Sequence, residues 1–148
     1  MDLNDYQPMW DRVEPLMRAK LDRLKEALTG RTDCAFSEVY QSGDEEFRLT
    51  LDLRRGDITV LGLDFILLDA EANGEEEPGF GIKLDFIGYG GLSLGFYAPH
   101  NYTAFAFTQD ASEVVSRVEA LHVDAVATYI IESALTDERL LKELAGAQ

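Results

Sequence analysis

Residues 47–54 read FRLTLDLR and residues 80–86 read FGIKLDF, so apolar and polar side chains alternate strictly in both segments. Alternation with a period of two places the apolar side chains on one face of a β-sheet and the polar side chains on the other. An antiparallel sheet with one apolar face must bury that face against other elements. The two segments therefore predict a sheet covered on one side by the flanking helical segments.

The segment between them, residues 58–68, is apolar at most positions and predicts a central strand. Its apolar side chains are expected on both faces of the sheet, with Val60, Ile66 and Leu68 on one face and Leu61, Leu63, Phe65 and Leu67 on the other. Asp64 interrupts this run. Gly62, close by, suggests a β-bulge that turns the carboxylate of Asp64 towards water. Tight turns are expected at residues 55–57 and 88–91.

Helices are predicted before and after the sheet segment in the sequence. Residues 9–29 have apolar side chains at helical spacing, with Pro15 expected in the first turn and Gly30 at the C-terminal cap. Residues 34–41 could form a first strand. After the sheet, Asp110 and Glu113 suggest a capping box that opens a helix extending to about residue 131. Thr136 is expected to begin a terminal helix with Leu140, Leu141 and Leu144 on one side.

These patterns predict the α+β fold class within a single domain, residues 1–148. The expected architecture is an N-terminal helix, an antiparallel meander sheet of four to six strands, and one or two C-terminal helices packed on one face. The 148-residue chain is long enough to bury a core without disulfides or metals.

The net charge of −15 is distributed unevenly. Residues 1–31 contain six basic and six acidic side chains, so the remaining 117 residues carry the whole excess. An acidic surface repels nucleic acid and anionic membranes and speeds encounters with basic molecules. The expected partner is therefore another protein, a basic one, and not nucleic acid or a membrane. The single cysteine, Cys34, and the lack of a recognisable signal segment predict a cytoplasmic location.

Few residue types that carry chemistry occur together in the sequence. Cys34, His100 and His122 are too few for a typical structural zinc site, and no Gly-x-Ser-x-Gly nucleophile motif is present. The adjacent glutamates at 75–77 are expected in a solvated loop, because neighbours in sequence do not converge on one ion. We therefore predict no catalytic residue, no metal ligand and no cofactor, and an enzymatic activity is the less favoured alternative.

The strongest candidates for binding lie in one aromatic and polar turn region. If the hairpin at residues 86–97 and the turn after it meet at one end of the sheet, they form a rim of amphipathic rings with one imidazole. Such a rim suits recognition of a partner or of a small ligand. With the carboxylate in the central strand, the candidate binding residues are Asp64, Tyr89, Tyr97, His100, Asn101 and Tyr102.

Three hypotheses about function follow. The first is a small acidic protein-interaction module, with the size and charge of immunity proteins that neutralise basic toxins or of chaperones of secreted effectors, as a likeness of class only. The second is a ligand-binding or enzymatic domain with a cavity between sheet and helices and Asp64, Tyr97 or His100 at its mouth. The third is mimicry of nucleic acid by surface carboxylates. A homodimer, formed through the terminal helix or an unpaired sheet edge, is a further expectation.

Overall fold

The computed structural model describes residues 3–41, 47–96 and 107–147 of the chain. It has the predicted α+β fold: an N-terminal helix, a six-stranded antiparallel sheet and helices at the C-terminus. The helices are α1 (Leu3–Leu28), α2 (Ala111–Glu119), α3 (Val123–Tyr129) and α4 (Glu138–Gly146). The strands are β1 (Ala35–Phe36), β2 (Tyr40–Gln41), β3 (Arg48–Arg55), β4 (Ile58–Asp69), β5 (Phe80–Gly88) and β6 (Leu92–Phe96). Among the described helices, none combines the length and the apolar character that a membrane crossing needs.

The sheet is a meander in which β3, β4, β5 and β6 follow one another in space as in sequence. The short strands β1 and β2 both pair with the outer edge of β3. The strand β4 lies in the middle of the sheet between β3 and β5, as its apolar sequence predicted. The turn at residues 55–57 is also confirmed, because Arg55 pairs with Ile58 and Gly56 has a φ of 62°.

The apolar side chains that alternate along β3, β4 and β5 form one core with the helices. Fully buried side chains of the sheet, such as Leu51, Leu63 and Phe86, lie in the same cluster as Met17 of α1 and Val118 of α2. The alternate positions of the three strands lie on the opposite face, which we call the open face. Part of this face is covered, because Thr50, Ile66 and Leu68 on it are buried. The period-two pattern therefore assigned the faces of β3 and β5 correctly.

Helix α1 begins earlier than the sequence predicted, and Pro15 lies inside it instead of in its first turn. A proline inside a helix removes one backbone hydrogen bond and disfavours the helical turn before it. Tertiary contacts hold this first part of the helix on the sheet. The rings of Tyr6 and Trp10 lie 4.6 and 5.3 Å from the ring of Phe47, and the Tyr6 hydroxyl donates a hydrogen bond to the Leu67 carbonyl.

A β-bulge lies at Val60, and not at Gly62 as the sequence suggested. Leu53 pairs with Leu61 and Arg54 pairs with Thr59, so Val60 is the extra residue on β4. As a result Val60 belongs to the same buried cluster as Leu61, and the prediction that it shares a face with Ile66 is wrong. Gly62 itself is paired in regular register with both neighbouring strands.

The second predicted helix is divided between Glu119 and Val123. The described C-terminal region therefore contains α2, α3 and α4, and a π-helical segment, Ile130–Ala134, continues α3. At this division the Lys20 ammonium donates hydrogen bonds to the carbonyls of Glu119, at 2.8 Å, and Leu121, at 3.0 Å. A cation that binds terminal carbonyls satisfies groups left unpaired where a helix ends. In α4, Leu140 is buried but Leu141 is 46% exposed, so the prediction that these leucines share one side is wrong for Leu141.

Candidate functional site

Polar side chains from three neighbouring strands lie side by side on the open face of the sheet. Thr50 of β3 pairs with Asp64 of β4, which pairs in turn with Asp85 of β5. One row further along, Asp52 pairs with Gly62 and Gly62 with Ile87. Because cross-strand partners share a face, residues distant in sequence are brought into contact here.

Asp64 is held at the centre of this face. Its carboxylate accepts a hydrogen bond of 2.7 Å from the Thr50 hydroxyl and lies 3.3 Å from the Arg48 guanidinium. Its side chain is only 17% exposed. The expected bulge is not needed to turn this carboxylate away from the core, because the regular alternation of β4 already places it on the open face. The neighbouring Asp85 is paired with Lys83 at 3.1 Å, which offsets the repulsion between the two aspartates.

Asp52 is held by residues of the sheet edge at which the short strands β1 and β2 pair with β3. Ser37, between β1 and β2, donates its backbone N–H to the Asp52 carbonyl and accepts a hydrogen bond from the Asp52 N–H on its hydroxyl. The Tyr40 hydroxyl donates to the Asp52 carboxylate at 2.8 Å. A side chain at position 62 would begin only 3.3 Å from Oδ1 of Asp52. Gly62 therefore leaves the room that this carboxylate occupies.

An open cleft of about 520 Å³ lies over Gly62 on this face. Three of the described lining residues are aspartates, Asp52, Asp57 and Asp64, and none of them is lysine, arginine or histidine. The described residues that line the cleft are Thr50, Asp52, Asp57, Ile58, Thr59, Gly62, Asp64, Ile87, Gly88, Tyr89 and Gly90. A cleft of this composition attracts cations and disfavours anions.

A fourth carboxylate lies next to the cleft and comes from the far end of the chain. A Cβ atom on Gly90 would be 3.2 Å from Oε2 of Glu143 in α4. Gly90 lies in the short turn Tyr89–Gly91 between β5 and β6. The acidic groups around the cleft therefore come from β3, the β3–β4 turn, β4 and α4, and not from one acidic run in the sequence.

Two of the six predicted binding residues, Asp64 and Tyr89, line this cleft together. The other four, Tyr97, His100, Asn101 and Tyr102, lie outside the described residues. The cleft lies on the open face of the sheet with α4 beside its Gly88–Gly90 end, whereas the sequence suggested a cavity between sheet and helices. Asp52 and Gly62 were missed as site residues. The alternating pattern places Asp52 on the polar face of its strand, but only the register of β3 against β4 puts it beside Gly62.

A second groove of about 650 Å³ lies where α1 meets the junction of α2 and α3. Its lining mixes the bases Lys20, Arg23 and His122 with the acids Glu26, Glu119 and Asp124. Burial lowers the pKa of Lys20, and the nearby Arg23 lowers it further, while Glu119 acts in the opposite direction. Because Lys20 is bound to helix carbonyls and the charges balance, this groove is less selective for a ligand charge than the open-face cleft.

The pKa of Tyr40 responds to the charged groups on the open face as well as to burial. It is raised from 10.0 to about 12, first by burial and then by the hydrogen bond to Asp52 and by the charges of Asp52 and Asp64, while Arg54 acts in the opposite direction. We expect Asp52→Asn to lower this pKa, though not fully to 10.0 because the effect of burial remains. The ultraviolet absorbance of tyrosinate during a pH titration measures it, and Tyr40→Phe identifies the corresponding step.

The raised pKa of Tyr40 makes the stability of the folded state depend on pH. A raised pKa means that the folded state favours the protonated hydroxyl. Its contribution to the free energy of unfolding is therefore complete below about pH 10 and is lost as the pH rises towards 12. An unchanged Tyr40 titration in Asp52→Asn would show that the carboxylate does not act on the hydroxyl.

Comparison of the chain with known protein families, with functionally described proteins and with solved structures gives no match. The function is therefore inferred from the open face and its cleft.

Proposed function

We propose that the chain is a cytoplasmic protein-binding module that recognises a basic partner protein through the open face of its sheet. The observation that carries the proposal is the cleft of about 520 Å³, whose described lining contains three aspartates and no basic side chain. It occurs in a chain with a net charge of −15. Complementary charge favours the approach of a basic surface and fixes its orientation.

Charged side chains of both signs surround the acidic lining of the cleft. Arg48 and Lys83 offset Asp64 and Asp85 on one side of the face. Asp52 accepts its hydrogen bond from the neutral hydroxyl of Tyr40, and Asp57 is exposed in the adjacent turn. The β3–β4 turn also carries Arg54, whose guanidinium donates to the Asp57 carbonyl, and Arg55, which is paired with Asp33. The support for a basic partner is therefore the acidic lining of the cleft itself.

A second candidate function uses the same cleft. Its volume falls within the range of small-molecule sites, so a small cationic ligand is the alternative to a protein partner. The two candidate functions differ in the mass of the bound molecule, which is a protein in the first case and a small cation in the second.

Native mass spectrometry of the protein, purified gently from its own cells, tests the proposal. We expect one basic protein to co-purify and to dissociate as the ionic strength rises, because salt screens charges at exposed surfaces. The double variant Asp52→Asn/Asp57→Asn is expected to lose at least tenfold in affinity for that protein, which corresponds to about 1.4 kcal/mol.

The matched control is Glu76→Gln/Glu77→Gln, which changes the net charge equally in an exposed loop away from the cleft lining. This control is expected to retain the partner. If both double variants bind equally well, the cleft is not the site of binding. A retained mass of a few hundred daltons in place of a protein would support the small-ligand function.

A further inference from the structure

We propose that the cleft over Gly62 is an anchor pocket for the side chain of one arginine from the partner protein. This inference rests on the proposed function, because it specifies how a basic partner is held. An anchor pocket differs from a general attraction between opposite charges, because it requires a side chain that fits the shape of the cleft.

The pocket exists because a glycine lies in the middle of the central strand. Gly62 lies between Asp52 and Ile87 in one cross-strand row, where any other residue would project a side chain from the open face. Its backbone does not require glycine, since its conformation is not left-handed and it is paired in regular register. Because Gly62 has no side chain, there is space for the Asp52 carboxylate beside it, and Gly62 itself forms the floor of the cleft.

The lining fits a guanidinium group and its aliphatic stem. Carboxylates of Asp52 and Asp64 lie on adjacent strands, and a planar guanidinium with five N–H donors can bind two such acceptors at once. Tyr89 is also among the residues that line the cleft, and arginine stacks readily on aromatic side chains. The side chains of Ile58 and Ile87 offer apolar contact to the methylene groups of the stem. A lysine side chain would make fewer contacts with these lining residues, because its ammonium group is compact and strongly hydrated.

The test uses two short peptides with blocked termini, Gly-Gly-Arg-Gly-Gly and the same sequence with lysine in place of arginine. We expect the arginine peptide to shift the backbone amide resonances of Gly62, Ile87 and Gly88 in a nitrogen–proton NMR titration. The lysine peptide is expected to bind at least threefold more weakly. Gly62→Val, which fills the floor of the cleft without changing any charge, is expected to weaken binding of the arginine peptide at least tenfold.

Asp52→Asn provides a second variant of nearly unchanged shape, and it should weaken binding as well even if Gly62→Val disturbs the sheet. Glu76→Gln is its control, because it removes one acidic charge outside the cleft lining. Equal binding of the arginine peptide by wild type and both cleft variants would overturn the anchor pocket. Equal binding of the arginine and lysine peptides would also overturn it. The same conclusion would follow if no amide resonance shifted at the solubility limit of the arginine peptide. Salt-sensitive capture of the whole basic partner would then still support the proposed function, so the two failures are distinguishable.

Discussion

Phe86→Ala is expected to lower the free energy of unfolding by about 3–5 kcal/mol. The Phe86 side chain is fully buried on the core face of β5. Its ring lies 5.0 Å from the ring of Tyr129 in an edge-to-face arrangement, so it also connects the sheet to α3. Truncation to alanine removes apolar burial, leaves a cavity and loses this aromatic contact. Urea unfolding followed by circular dichroism measures the change.

Leu141→Ala is the control for this variant. Leu141 is 46% exposed on α4, and its truncation is expected to change the free energy of unfolding by no more than about 0.5 kcal/mol. If Phe86→Ala costs as little as Leu141→Ala, the sheet and the C-terminal helices do not share the single core described above.

Gly79→Ala is expected to lower the free energy of unfolding by about 2–4 kcal/mol. Gly79 has a φ of 153°, which side-chain-bearing residues rarely adopt. A Cβ atom there would lie 3.0 Å from the carbonyl oxygen of Thr108 and 3.1 Å from its carbonyl carbon. The Thr108 backbone cannot easily move away, because it exchanges two hydrogen bonds of 2.8 and 2.9 Å with Phe80.

Gly74→Ala separates backbone strain from steric contact. Gly74 also has a positive φ, 84°, but no neighbouring atom lies within 4 Å of its ideal Cβ position. We expect it to cost about 1 kcal/mol through strain alone. Equal losses for the two alanine variants, measured by urea unfolding, would show that the contact with Thr108 is relieved at little cost. In that case the pairing of Phe80 with Thr108 is looser than described.

The candidate site was only partly accessible from the sequence. The sequence identifies Asp64 because a carboxylate interrupts a central apolar strand, and Tyr89 because it lies in a glycine-rich turn. It also predicts a bulge at Gly62, and that prediction is wrong because the bulge lies at Val60. A glycine in a strand suits either a bulge or the close approach of another group, and sequence alone does not distinguish the two. The deciding fact is that Asp52 of the neighbouring strand lies opposite it.

The end of the second helix shows the same limitation. Apolar spacing continues past Glu119 without glycine or proline, so local signals favour one long helix. The division is made where Lys20 of α1 binds the carbonyls of Glu119 and Leu121, about 100 residues away in the chain. No short window of sequence contains both partners.

The sequence by itself determined the fold class, the faces of β3 and β5, the central position of β4 and the excess of negative charge. These follow from periodicity and composition, which act over a few residues or over the whole chain. Tertiary structure decided the bulge at Val60, the start of α1, the division of the second helix and the cleft over Gly62. Each of these depends on strand register or on a contact between distant segments, where one residue's effect is set by its partner.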